Sequence, residues 1–558
     1  MMLRCLFVFI GWFFLPNSHA LCPSDSIFNS GLENLYPPVP NNPVVNENDA
    51  SRFLYQATYG AKLTEIRRLQ SLGIDAWLTE QINRPATLQE PCMQATLADP
   101  DQPLYQNSRM ESWFLNSAEG TDQLRQRMAF ALSQIFVVSD AASLGNEVMG
   151  LAMYYDMLAV NAFGNYRDLL EDVTLNTMMG HYLGMFKNAK ADPQAGTQPD
   201  ENYAREVLQL FSIGLHQLNM DGTEILDIDN NPIPTYDQTT IENFARVFTG
   251  WNYAGCPESN WTWCNPTEPT VDAYAPMEPI ENYHDTGAKT LLNGLTIPAG
   301  QTAYQDLTDA LDNIFNHPNV PPFISKQLIQ RFVTSNPSPA YVQRVASVFA
   351  DNGAGVRGDL ATVIRAILTD DEARNSSHLS DPTYGKLKEP LLRYLNILRA
   401  FEARSPTGRY GNWNPEFGYL QRPLGSPSVF NFFKPGFQLP GPIRDQGLVS
   451  PEFQITSETT VISVANEMNE AINRGHHLAN HWNDSMPRLQ LQRELLLINN
   501  PAALLDHLNV LLFSGQMSSA TRSTALNLLT TVSDEPPIDR LASLIYVLVL
   551  SPDFVVQR

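Results

Sequence analysis

The chain has 558 residues, with 36 Lys and Arg against 59 Asp and Glu, a formal net charge of −23 and 43% hydrophobic residues. A surface this acidic repels nucleic acid and anionic lipid and excludes both as principal partners. The apolar content supports a large core, and a chain of this length ordinarily divides into more than one lobe.

Residues 1–20 have the three parts of a secretory signal: Arg4 near the start, an apolar run from Leu6 to Leu15, and the small-residue exit Ser18-His19-Ala20. Pro16-Asn17-Ser18-His19 interrupts that run well short of a membrane span, so cleavage after Ala20 is expected. This predicts a protein exported to the periplasm or the medium, with no transmembrane anchor in its mature part. Lipidation at Cys22 is the weaker alternative, because Leu21 is larger than the residue a lipoprotein peptidase reads. Loss of Cys5 with the signal leaves Cys22, Cys92, Cys256 and Cys264, an even set that favours disulfides in an exported chain. The close pair Cys256 and Cys264 would pin a loop, leaving Cys22 to tie to Cys92. Buried thiols are the alternative, and zinc lacks a C-x-x-C spacing.

Residues 21–49 are rich in Pro and Asn and read as an extended arm. Residues 50–404 follow as a main helical domain, opening at Ala50-Ser51-Arg52-Phe53, with helical spacing over Asp122–Val138 and Tyr154–Leu170. Strand-like alternation is scarce, so the expected fold class is all-α, a large multi-helix globular fold with long Pro/Gly-rich loops and two helical lobes. Loops are expected at 187–200, 219–238 and 252–300.

Between the first two loops, Asp200 is placed to cap a helix running to Gly214. Tyr203, Ala204, Val207, Leu208 and Phe211 form its apolar face, while Asn202, Arg205, Glu206 and Gln209 fall on another. An amide, a guanidinium and a carboxylate in one stripe suit a polar substrate, with Glu206 as base or metal ligand. The plainer reading is a solvated face. The string Glu201-Asn202-Tyr203-Ala204-Arg205 returns as Glu242-Asn243-Phe244-Ala245-Arg246, with Glu and Arg four apart in the order that favours a helix ion pair. Next comes His284-Asp285-Thr286-Gly287-Ala288-Lys289, where His284 beside Asp285 would exchange protons or share a divalent metal. The plainer reading, and from this segment alone the favoured one, is a turn whose His and Asp cap the next element.

A second helical block is expected over 302–401. Within it Gly353-Ala354-Gly355-Val356-Arg357-Gly358 matches a dinucleotide fingerprint, yet it follows a helix and not a strand, so it reads as a helix-to-helix turn. Asp359 then caps the helix Leu360–Leu368. Residues 405–451 form a Gly/Pro-rich connecting stretch and 452–558 a C-terminal helical lobe, in which Leu541–Leu550 reads as a buried helix. His477 and His481, with His476 and Asp484 nearby, read as a surface cluster. No serine stands in a G-x-S-x-G setting.

Several short blocks occur in one order: Phe53 to Gly60, Arg127 to Ser133, Glu201 to Gly214, Ala245 to Trp251, His284 to Lys289, His317 to Val320, Val356 to Leu360, Gly385 to Pro390, Pro427 to Phe433 and Ser551 to Phe554. Together they resemble the bacterial family known as domain of unknown function 1800. The resemblance implies a helical exported protein, often found beside a second exported protein of the alkaline-phosphatase superfamily, with no established activity. The family more often has Arg where this chain has Lys388, and an Asp-Val pair at Glu242. Because Glu201, Arg205, Glu206, Arg246, His284, Asp285 and Lys289 fall in family motifs, the resemblance raises them as site residues. Two functions follow as expectations. One is an extracytoplasmic binding or assembly partner of the phosphatase-like protein. The other is a metal-assisted extracytoplasmic enzyme acting on a surface or environmental polymer, with Glu206, His284 and Asp285 as metal ligands and Arg205 and Arg246 holding an anion.

Overall fold

A computed structural model describes residues 37–100, 103–141, 143–412, 414–474 and 484–558. The expected signal, Cys22 and the histidines 476, 477 and 481 lie outside the described residues. The chain is mostly helical, 53% helix against 5% strand, with twenty helices of seven or more residues and a few two-strand sheets.

The first helix, Glu47–Ala57, begins earlier than Ala50 because Asn46 caps it, accepting the Asp49 amide at 2.9 Å, with Glu47 and Asp49 in the first turn. Helix Gln123–Ser133 is buried on every side, as its apolar surroundings require. The single helix expected over 154–170 is instead Val148–Val160, a short turn Asn161–Phe163, and Tyr166–Leu175. Asparagines cause the break. The Asn161 amide donates to the Met157 carbonyl at 3.1 Å, and Asn165 accepts the Arg167 amide at 2.9 Å to start the next helix.

One continuous hydrophobic core runs from Ala50 to Phe554. The two ends of the chain meet in it: Ser51 Oγ and Tyr55 OH donate to the carbonyls of Val510 and Leu511, each at 2.7 Å, along helix Pro501–Phe513. Strand Lys386–Leu387 pairs antiparallel with Val556–Gln557. The Gly/Pro-rich stretch is stitched by charge to an earlier helix at Glu111 and to the turn at Asp140. Arg409 grips Glu111 through two 2.7 Å bonds, Arg422 pairs with Asp140, and Asp140 also holds the fully buried Arg109 at 2.9 Å.

The glycine-rich turn at 353–358 joins helices Pro339–Ala350 and Leu360–Thr369, and Asp359 caps the second by accepting the Thr362 amide at 3.2 Å. Cys256 and Cys264 form a disulfide across Cα atoms 6.0 Å apart, and Cys92 is disulfide-bonded. The expected helix at 541–550 is Pro537–Val549. Among the described residues, no helix is long and apolar enough to cross a membrane.

Candidate functional site

Asp200 Oδ1 accepts the Asn202 amide at 2.8 Å just ahead of helix Asn202–Gln209, whose N-cap is Glu201 and not, as expected, Asp200. The helix stops short of Gly214 because the chain unwinds through a wide turn, in which the Gly214 amide reaches back to the Leu208 carbonyl at 3.1 Å. Gly214 sits at φ +73°, and a Cβ there would lie 2.7 Å from the Phe323 ring, so only glycine closes this turn.

The apolar face is buried as its spacing predicts, but so is Glu206, at 6% exposure. Its Oε2 has no hydrogen-bond partner among the described residues. Burial pushes the Glu206 carboxyl above the usual carboxylate range, against the pull of Arg205. The Glu206 charge acts on two neighbouring phenols, Tyr182 and Tyr236. Tyr236 is pushed up to about 12 by burial first and Glu206 second, and its hydroxyl also lacks a partner.

Arg205 pairs with Glu201 at 3.0 Å in the expected helical register. Glu201 also accepts Gln238 at 2.9 Å, and Gln238 reaches Glu242 at 3.4 Å, so the two similar strings lie side by side. The second string falls in the later half of helix Gln238–Val247, and its expected Glu242–Arg246 pair does not form. Arg246 turns instead to Asp285, Nε to Oδ2 and Nη2 to Oδ1, both 3.0 Å, with Nη1 on Asn243 and on the Ala288 carbonyl. A fork on a carboxylate in the 284–289 loop satisfies more donors than a helical neighbour can. Burial raises Asp285, yet the Arg246 bonds, the Gly287 amide and the charges of Arg246 and Lys289 together hold it below the usual carboxylate range.

His284 is fully buried. Its Nδ1 lies 3.0 Å from the Thr249 carbonyl and its Nε2 3.1 Å from Asp306 Oδ2, so both nitrogens face acceptors. Lys289 Nζ meets the same Asp306 oxygen at 2.5 Å and the Gly287 carbonyl at 3.0 Å, and also donates to the Asp285 carbonyl. Asp306 is a residue the sequence reading missed. It stands in the first turn of Ala303–Phe315, on the face of Ala303, Leu307, Ala310 and Ile314, and the Thr302–Gln305 capping box fixes that start. A carboxylate at a core position of an amphipathic helix was the available signal.

The structure thus sorts the predicted residues into separate groupings. Glu201 and Arg205 pair on an open helix face, Glu206 turns inward toward two phenols, and Arg246, Asp285, Lys289, Asp306 and His284 form one network, which Lys289 bridges from Asp285 to Asp306. Glu206, His284 and Asp285 are not assembled as a ligand set: among the described residues, no three His, Cys, Asp or Glu side chains are grouped to hold a metal ion.

No curated protein and no solved structure matches this chain. A family model described as a protein of unknown function, DUF1800, matches residues 52–556. That match takes in nearly the whole described fold, from the first helix to the final strand, and the chain belongs to the DUF1800 family.

Proposed function

We propose that this protein is exported and acts in the periplasm or the medium as a binding or assembly partner of an exported alkaline-phosphatase-superfamily protein. The supporting observation is an outward meander at 215–235. Its backbone is tied by Gln217 N to Ile233 O at 2.8 Å, Ile225 N to Gln217 O at 2.8 Å and Asp227 N to Asn231 O at 2.9 Å, and it presents Leu215, Met220, Leu226 and Ile228, the last 97% exposed. A braced backbone that holds apolar side chains in water suits recognition better than catalysis. The ionic contacts of Arg246, Asp285, His284 and Lys289 act in this reading as a clamp that holds helix Gln238–Val247, which follows the meander, to the 284–289 loop and helix Ala303–Phe315. The test is capture from the native cell envelope with the mature chain as bait. Wild type should retain a phosphatase-superfamily protein that Ile228→Asp loses, and retention by both variants, or by neither, sinks the reading.

Glu206 favours a second reading, an extracytoplasmic enzyme, because a buried carboxyl of raised proton affinity with one oxygen free beside two phenols suits acid–base work. A divalent metal in that reading would take Glu206 with groups supplied by the substrate. Elemental analysis of chelator-free protein, wild type beside Glu206→Gln, separates the readings: a stoichiometric metal lost in the variant favours the enzyme.

A further inference from the structure

Away from that region, two arginines from distant segments, Arg52 of the first helix and Arg374, come together inside an acidic protein. Arg52 is 3% exposed, and its neighbour across the packing is Arg374, at the end of helix Asp371–Arg374. Nε and Nη1 of Arg52 and Nε, Nη1 and Nη2 of Arg374, five buried guanidinium nitrogens, have no hydrogen-bond partner among the described residues. Arg52 Nη2 donates to the Arg374 carbonyl and approaches Asp49 at 3.4 Å, and the Arg374 guanidinium lies 5.3 Å from the centre of the Phe53 ring.

Apart from Asp49, which reaches Arg52 Nη2 only, the nearby carboxylates are engaged elsewhere. Asp370 is held by Arg344 through bonds of 2.7 and 2.8 Å, and Glu372 accepts the amide and hydroxyl of Ser338. The hydroxyls of Tyr341 and Tyr384 donate to backbone carbonyls. Arg52 also lines a small cavity with Lys388 and Arg558. The acid there, Asp553, already accepts the Ser518 amide at 2.8 Å and the Thr521 hydroxyl.

Two neighbouring guanidinium groups of which only Arg52 Nη2 has acceptors are unfavourable on two counts, repulsion and five nitrogens with unmet donors. An anion between them removes both. The number of open N–H groups exceeds what the two oxygens of a carboxylate accept with good geometry, and matches the four oxygens of a tetrahedral ion. The nitrogens are closed off from solvent, which fits a free ion and not a phosphate ester with a trailing group.

We infer that Arg52 and Arg374 form an enclosed site for an inorganic tetrahedral oxyanion, phosphate or sulfate, which bonds the first helix to the Asp371–Arg374 segment. The inference stands apart from the proposed function above, because none of its residues belongs to the meander or to the 284–289 loop.

The test uses full-length mature protein, purified without phosphate or sulfate and titrated with sodium phosphate, sodium sulfate, sodium chloride and glycerol phosphate at matched ionic strength. Phosphate or sulfate should bind one to one by calorimetry and raise the unfolding midpoint by about 3 °C over chloride. Glycerol phosphate should bind at least about tenfold more weakly. Arg374→Met keeps the alkyl contact with Phe53, should lose oxyanion binding by more than about tenfold, and should be no less stable than wild type in chloride. Arg52→Met provides the same comparison if Arg374→Met does not fold. Protein that neither binds oxyanion nor releases any on acid denaturation would overturn the assignment, as would binding that survives both substitutions or that favours the ester.

Discussion

Asp306 shows how one residue changes the meaning of a motif. From the sequence, His284 and Asp285 look like a pair with shared chemistry, but the backbone sends them opposite ways, His284 inward to Asp306 and Asp285 across to Arg246. Asp306→Asn should therefore lower stability by about 3 to 5 kcal/mol in chemical denaturation, because Lys289 and His284 stay buried without their shared carboxylate. Glu206→Gln removes a charge that burial already disfavours, so its stability should stay within about 1 kcal/mol of wild type. A large loss there would mean that Glu206 has an ionic partner the contacts do not reveal. Lys388 gives a pH signature. Burial, then the charge of Arg393, lowers its pKa to about 7. The unfolded chain binds its proton up to about pH 10.4, so stability should rise between pH 7 and about 10, by at most about 1.4 kcal/mol per pH unit. Lys62, lowered to about 8 by burial first, adds to the upper part of that window. Lys388→Met should reduce the slope, and an unchanged denaturation profile over that range would contradict the assignment.

At the scale of elements, legibility followed the local signals. Asp359 starts its helix as its sequence setting predicts, whereas the cap expected at Asp200 falls one residue later at Glu201, and the glycine-rich run at 353–358 is the turn its helical approach implied. The misreadings arise where side chains override periodicity: Asn161 and Asn165 split an apparently continuous helix, and the turn after Gln209 releases the chain before Gly214. Neither event changes the apolar spacing, so periodicity alone did not reveal it. The partner of Arg246 was equally hidden, since Glu242 stands in good helical register and the winning acceptor is 39 residues away. Gly214→Ala tests the turn. With φ at +73° and the Phe323 ring in the way, it should destabilise by about 1 to 3 kcal/mol and shift the Leu208–Leu215 resonances or exchange rates most.

For the whole molecule, composition and helical spacing made the fold class readable, and the ordered blocks from Phe53 to Phe554 made the family readable. How the segments pack was not, because contacts between distant segments leave no local trace. The core is continuous from Ala50 to Phe554, and the connecting stretch carries ion pairs back to segments far earlier in the chain. A fragment of residues 50–404 should therefore fail to fold, and the intact chain should melt in one calorimetric transition. Two separated transitions would show that the lobes unfold independently.

The docking of the first helix on Pro501–Phe513 also sets a clock. Ser51 and its acceptor Val510 are 459 positions apart, and at about 5 to 20 residues per second the ribosome needs about 25 to 90 s to make the second after the first. Throughout that interval the opening helix lacks this partner, although earlier-made segments such as Trp77, whose ring meets Phe53 at 5.2 Å, already reach it, so its native docking is completed only when synthesis is nearly done. Under the export proposed above, which would thread the chain through a membrane channel before it closes, late completion keeps the thread passable.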